Sequence, residues 1–141
     1  MSRIYWDSML FIYWLEDNPR FARRVTAIRD RMSERNDELI TSAFTLGEVL
    51  AGSYRKGAAH RADEVRALLL SLLSEIVPFN TETSDRFARI RAMPSVGSAD
   101  AIHLACASQA GTDLFLTNDS SLIGRVIPGI QFIAGIDSNV L

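Results

Sequence analysis

The sequence predicts an α/β protein, a three-layer α/β/α sandwich around a short, mainly parallel sheet. Three observations carry this. Short strand-length runs alternate with helix-length segments along the whole chain, the order that builds parallel sheets with helices on both faces. The run Leu114-Phe115-Leu116 is apolar at every position, as in a strand covered on both sides. The third is size and composition: 141 residues, 48% hydrophobic and 23% charged, is ordinary globular composition. A chain of this length buries roughly 68% of its unfolded surface, so a single domain over residues 1–141 is expected.

The elements follow in order. Arg3–Trp6 is predicted as the first strand, ending at Asp7. Met9–Glu16 reads as a helix, apolar nearly all round and therefore well buried. Asp17-Asn18-Pro19 breaks it, and Pro19 is expected in the first turn of a second helix running to about Arg35. Leu39–Thr41 is the second strand. Thr45 is expected to cap a third helix, with Glu48 three residues on as in a capping box. That helix ends near Lys56-Gly57. Residues 59–73 form a long helix with Val65, Leu68, Leu69 and Leu72 on its apolar side. Glu75–Phe79 is the third strand, and Thr83–Met93 a helix stopped by Pro94. Ser98–Gln109 is a helix of small residues with Gly111 as its C-terminal stop. Leu114–Leu116 and Gln131–Ala134 complete the strands. No repeat, low-complexity tract or linker interrupts this order.

Composition excludes several classes. Cys106 is the only cysteine, which rules out an internal disulfide and any multi-cysteine metal site and fits a reducing compartment. The apolar run before Asp7 is too short for a signal peptide, and no stretch approaches the roughly 20 apolar residues of a membrane span. A cytoplasmic protein with no membrane partner is expected. Net charge is −2, so nothing draws the whole molecule toward nucleic acid. Lys56 is the only lysine among fifteen basic residues, so the rest are arginines. Arginine suits bidentate phosphate contacts, although coding bias gives the same composition.

Ligands of doubly wound sheets bind outside the carboxyl ends of the strands. Asp7 directly follows the first strand, Glu48 lies in the helix after the second, and Asp119 follows the fourth. Asp100, in the first turn of the helix 98–109, can join them. Four carboxylates with no interleaved lysine or histidine repel one another, and a hard divalent cation with oxygen ligands is the usual reason to assemble them. Mg²⁺ or Mn²⁺ held this way activates water and stabilises charge on a phosphodiester. The competing reading is helix capping, in which each acid satisfies free N–H groups. Position alone admits both.

The local sequences are more specific. Ile4-Tyr5-Trp6-Asp7-Ser8 precedes the apolar Leu10-Phe11-Ile12. Then come Ile40-Thr41-Ser42-Ala43-Phe44-Thr45-Leu46-Gly47-Glu48-Val49-Leu50-Ala51-Gly52, Gly97-Ser98-Ala99-Asp100-Ala101-Ile102-His103-Leu104-Ala105, and Asp113-Leu114-Phe115-Leu116-Thr117-Asn118-Asp119. In this order and spacing they resemble the PIN domains, and within them the VapC-like toxins of bacterial toxin–antitoxin pairs, over nearly the whole chain. The resemblance implies a Mg²⁺- or Mn²⁺-dependent ribonuclease. It implies a catalytic quartet of Asp7, Glu48, Asp100 and Asp119, with Asp7 and Asp100 as metal ligands and Glu48 and Asp119 as further candidates. Ser8 and Thr117 match the supporting hydroxyl positions. It also implies products with 5′-phosphate and 3′-hydroxyl ends and neutralisation by a cognate antitoxin. One departure stands out. Met9 occupies the position where the family often has asparagine, which removes an amide from the surroundings of Asp7.

Other residues have simpler readings beside functional ones. His103, three residues after Asp100, is expected to bond a neighbour rather than take part in catalysis. Asp113, Asp63, Glu64 and Asp137 read as turn residues. Gly52, inside a helix, fits close packing as well as substrate access. Arg20, Arg23, Arg24, Arg31 and Arg35 crowd one helix and Arg86, Arg89 and Arg91 another. They can track phosphates, or form solvated faces paired with Asp30, Glu34 and Asp85. Phe11, Tyr13 and Trp14 exceed what one face of a short helix buries, so either part of them meets a second copy in a homodimer or an antitoxin peptide, or all of them pack in the core.

Rival phosphate enzymes fail on specific residues. No Gly-Lys-Ser/Thr loop is present for a P-loop nucleotidase. Met9 stands where an aspartyl-phosphate hydrolase needs a second Asp, and Lys56 is misplaced for a response-regulator receiver. The remaining alternative is a catalytically silent domain of this fold that binds RNA or protein; a nuclease acting on DNA is also compatible with the sequence.

Overall fold

The structure, a computed structural model, describes residues 1–141. Five strands, β1 (Arg3–Trp6), β2 (Glu38–Ser42), β3 (Glu75–Val77), β4 (Thr112–Thr117) and β5 (Ile130–Gly135), form one sheet in the order β3-β2-β1-β4-β5. Every pairing is parallel. Helices α1 (Ser8–Leu15), α2 (Ala22–Arg35), α3 (Ala43–Arg55), α4 (Ala59–Leu72), α5 (Thr81–Arg91) and α6 (Ser98–Ala110) cover it. The predicted α/β/α class is therefore correct, with an entirely parallel sheet.

Alternation along the central strands sorts the core into two layers. Ile4 and Trp6 of β1 and Leu114 and Leu116 of β4 face α1, α2, α3 and α4, where they meet Phe11, Val25, Ile28, Val49, Val65 and Leu69. Tyr5 and Phe115 point the other way, toward α5 and α6, and their rings stack with centroids 5.0 Å apart. Helix α6 is buried almost all round, from Ala101 to Ser108. Its small side chains let it lie close to the sheet, and Gly111 ends it in the left-handed conformation (φ +70°).

At the amino ends of the strands Arg3 ties the sheet together. Its guanidinium reaches Glu38 of β2 at 2.8 Å and Glu75 of β3 at 2.6 Å. At the opposite ends the sheet divides. The chain winds from β1 toward β2 and β3, and β4 opens the other half, so the crevice between β1 and β4 is the topological switch point where such folds bind ligands.

Several local expectations are corrected. Pro19 lies before α2, in a turn where the Asn18 side-chain oxygen accepts from the Arg20 and Phe21 amides at 2.9 and 3.0 Å. Ser42, not Thr45, caps α3, accepting from the Thr45 amide at 3.1 Å. No Thr45–Glu48 capping box forms, because the strand already ends at Ser42 and its hydroxyl takes the amide first. Pro78, which has no N–H to give a ladder, follows the last residue of β3. Asn80 begins α5 with a capping box to Thr83. Leu68 is exposed, and Ala62 joins Val65 and Leu69 on the buried side of α4. Asp113 belongs to β4, where it accepts from the Arg3 amide at 2.7 Å, and Asp63 and Glu64 lie within α4.

The aromatic run of α1 does not form an exposed patch. Phe11 is fully buried, and Tyr13 and Trp14 are half-buried against the same core. Tyr13 packs on Phe21 with centroids 4.6 Å apart. No helix is long and apolar enough to cross a membrane.

Candidate functional site

The switch-point crevice collects the acids read from the sequence. Asp7 follows β1 directly and caps α1, accepting from the Met9 amide at 3.1 Å with Oδ1. Its Oδ2 accepts from Thr117 Oγ1, at the end of the neighbouring strand β4, at 2.6 Å. The same Thr117 oxygen accepts from the Asp119 amide at 3.0 Å. One buried hydroxyl therefore sets both the Asp7 carboxylate and the backbone that carries Asp119. The Asp119 Oδ1 atom accepts from the Ser121 amide and hydroxyl at 2.9 and 2.7 Å.

Asp100 enters from the first turn of α6. The cap of that helix is Gly97, with no side-chain capping bond. Helix capping thus accounts for one oxygen of Asp7 and a local turn for one of Asp119, whereas Asp100 makes no capping bond and its place in the first turn gains only from the helix dipole. Electrostatics tie the three aspartates together. Burial pushes the Asp100 carboxyl above the usual aspartate range, and the charge and hydrogen bond of Asp119 and the charge of Asp7 raise it further. Asp119 is held below that range, first by its Ser121 bond and in part by the bond from Asp100. Burial raises Asp7 as well, partly offset by Thr117.

Glu48 lines the same cleft but is bonded to a different set of groups. Its Oε1 atom accepts from Ser8 Oγ and pairs with His103 Nε2 at 2.8 Å. These bonds hold the Glu48 carboxyl below the usual glutamate range, His103 contributing most. On the far side of the imidazole, Nδ1 lies 2.9 Å from the Tyr5 hydroxyl, which donates to Ser42 Oγ at 2.9 Å. Burial pushes the Tyr5 phenol well above its usual range, so it stays protonated. His103 is the buried, bonded histidine expected from the sequence, and it is the hub of the inner wall. Tyr5 was not singled out from the sequence; the only cue was a phenol inside an otherwise apolar strand.

The cleft over these residues is about 310 Å³ and is lined by Asp7, Ser8, Met9, Glu48, Asp100 and His103 among others. Met9, at the position of the expected asparagine, is 42% exposed at its rim. A larger groove of about 490 Å³ between α1, α3 and α4 adjoins it and shares Ile12, Glu48 and Arg55. The donor set consists of hard carboxylate and hydroxyl oxygens, which suit a divalent cation, and Asp100 is the one carboxyl raised by the charges of its neighbours. As placed, however, no three acidic, histidine or cysteine side chains converge into a ready ion cage.

Apart from Arg23, the crowded arginines are engaged within the protein. Arg24 donates to the Ser138 carbonyl at 2.7 Å, Arg35 pairs with Asp37, and Arg89 with Asp85, both pairs at 2.9 Å. Arg86 donates to Ser108 at 2.7 Å and Arg91 to the Val96 carbonyl at 3.0 Å. Burial pushes the Cys106 thiol up to about 11, so it is inert core.

Fold and site together define a doubly wound α/β protein with an acidic crevice at its switch point. The model of the PIN domain family matches residues 4–126, and the chain belongs to that family. Among solved structures, VapBC2 from Rickettsia felis bound to a DNA fragment from its promoter is similar with a TM-score of 0.75 and 15% identity, over 94% of this chain and 98% of that one. FitAcB from Neisseria gonorrhoeae follows with a TM-score of 0.67 and 23% identity, over 83% and 88%. A toxin–antitoxin complex from Klebsiella pneumoniae has a TM-score of 0.63 and 19% identity, over 90% and 94%. At these identities the likeness is one of fold. No curated protein matches the chain.

Proposed function

We propose that this chain is a metal-dependent endoribonuclease, the toxin of a toxin–antitoxin pair, built as one PIN domain over residues 1–141. The observation that carries the reading is Asp100, a carboxylate that shares the cleft with Asp7 and Glu48 and makes no capping bond at its helix start. Membership of the PIN family and the toxin–antitoxin complexes among its structural neighbours support it. We assign the quartet Asp7, Glu48, Asp100 and Asp119, with Asp7 and Asp100 as the principal metal ligands.

Mg²⁺ or Mn²⁺, when bound, supplies a Lewis acid that activates water and offsets charge on the phosphodiester. Thr117 keeps Asp7 and Asp119 on opposite sides of one hydroxyl, so the two acids hold their spacing without a ligand. Ser8 and His103 take one oxygen of Glu48 and leave the other for the cleft. Water attacks phosphorus in line, the bond to the 3′ oxygen breaks, and the 3′ oxygen leaves with a proton. The products carry 5′-phosphate and 3′-hydroxyl ends. The cognate partner is a small antitoxin encoded by a neighbouring short frame, and the active form is a cytoplasmic homodimer.

The test is cleavage of an RNA pool by purified protein with Mn²⁺, Mg²⁺ or EDTA, alongside thermal scans in the same buffers. Metal-dependent cutting and a metal-dependent rise in Tm are expected. A folded protein that neither cuts RNA nor gains Tm at millimolar Mn²⁺ or Mg²⁺ would leave a silent binding domain as the better reading.

A further inference from the structure

The cleft has a problem of charge. Its acids repel a polyanionic substrate as well as one another, and nucleic-acid backbones are held by cations placed along the strand. The arginine clusters of α2 and α5 do not line this cleft. Among its lining residues Arg55 is the only arginine or lysine.

Arg55 lies seven residues after Glu48 on α3, two turns along the same face, or about 10 Å of helix rise. It lines both the acidic cleft and the groove between α1, α3 and α4, so it stands where one opens into the other. The other basic groups of the groove are engaged. Lys56 pairs with Glu16 at 2.7 Å, and Arg61 pairs with Glu64 at 3.6 Å. Arg55 is exposed and takes part in none of the ion pairs, so its planar fork is free for a ligand. A position in the last turn of α3 suits a cation through the helix dipole. The dipole gives no reason for that cation to line the cleft that holds Glu48.

We infer that Arg55 is a substrate-positioning residue that grips the phosphate flanking the scissile phosphodiester of the RNA. This rests on the nuclease reading above. The guanidinium fork matches two oxygens of one phosphate. It touches neither the reacting phosphorus nor the carboxylates, so it acts on substrate binding and not on the chemical step.

The experiment compares wild-type protein with Arg55→Gln, Arg55→Lys and Arg89→Gln on a short single-stranded oligoribonucleotide in Mn²⁺ over a range of salt. Arg89 on α5 is a charge control outside the site. Arg55→Gln should raise KM about tenfold, as for one lost charge-assisted contact, with kcat little changed. The slope of log KM against log salt should fall by about 0.7, one phosphate contact on a single strand. Arg55→Lys should recover the slope but only part of KM, because a point charge replaces the fork. Arg89→Gln should match wild type, and all variants should keep the wild-type Tm and its shift with Mn²⁺. An unchanged KM and slope in Arg55→Gln, an equal loss in Arg89→Gln, or a fall in kcat alone overturns the assignment of Arg55. Failure of the wild-type protein to cut RNA overturns the nuclease reading and this assignment with it.

Discussion

Asp100→Asn separates the site from its scaffold. Asp100 occupies the first turn of α6, where a carboxylate contributes about 0.3–1 kcal/mol through the helix dipole. Against this, burial and the neighbouring Asp119 and Asp7 raise its carboxyl. A carboxyl raised on folding adds stability only while protonated. That contribution is full at acid pH and lost as pH rises through the raised folded value, so at neutral pH the ionised group is unfavourable in the metal-free protein. The amide removes both effects, and the net change should stay within about 1 kcal/mol of zero. For a chain of this length unfolding entropy is about 0.3 kcal/mol/K, so Tm should move by roughly 3 °C at most. Metal gives the contrast. A cation at 100 times its Kd adds about 2.7 kcal/mol, or roughly 9 °C, if it binds only the folded state. Wild type should gain that shift in Mn²⁺ and lose it in EDTA, whereas Asp100→Asn should gain little and cut RNA at background. Paired thermal scans and cleavage assays measure both. A variant that unfolds, or one that folds, keeps the Mn²⁺ shift and still cuts, would refute the assignment of Asp100 as a ligand.

Three further outcomes follow from the same geometry. Thr117→Val keeps the shape of a fully buried residue but removes the donor to Asp7 and the acceptor of the Asp119 amide. It should cost about 1–3 kcal/mol in urea melts and abolish cleavage, with Thr117→Ser restoring most of both. His103→Leu removes the strongest influence holding Glu48 low. A carboxyl lowered on folding adds stability above its unfolded value that is lost as pH falls through the folded one, so the gap between wild type and variant should be full at neutral pH and narrow below about pH 4.5; a gap independent of pH in denaturant melts would show the pair contributes nothing. Leu116→Ala, at 1% exposure in the inner strand β4, should cost about 2–5 kcal/mol while its folded fraction still cuts RNA, the opposite failure from Asp100→Asn.

The kinds of elements and their order were legible because each rests on short-range physics. An apolar strand such as Leu114–Leu116, the stop at Gly111 and the small-residue helix before it are written in adjacent residues. The positions of Asp7 and Asp119 just past strand ends, of Glu48 in the helix after β2 and of Asp100 in the first turn of α6 were legible for the same reason. The capping of α3 was misread because Ser42 and Thr45 are equally good caps on paper. Only the length of β2 decides between them. The arginine clusters left two readings open, and the fold favours the paired, solvated one, in which Arg31 meets Glu34 and Arg89 meets Asp85.

The sequence alone determined which residues could form the site. The tertiary structure decided which partners each of them meets. Thr117 reaches Asp7 across 110 residues because β1 lies beside β4. His103 reaches Glu48 of α3 because α6 packs against Tyr5 on its face of the sheet. Arg55, an ordinary helix-terminal cation in the sequence, faces the cleft because α3 carries it two turns beyond Glu48. Side-chain partners separated by such distances depend on the order of strands in the sheet, and no local periodicity or propensity encodes that order.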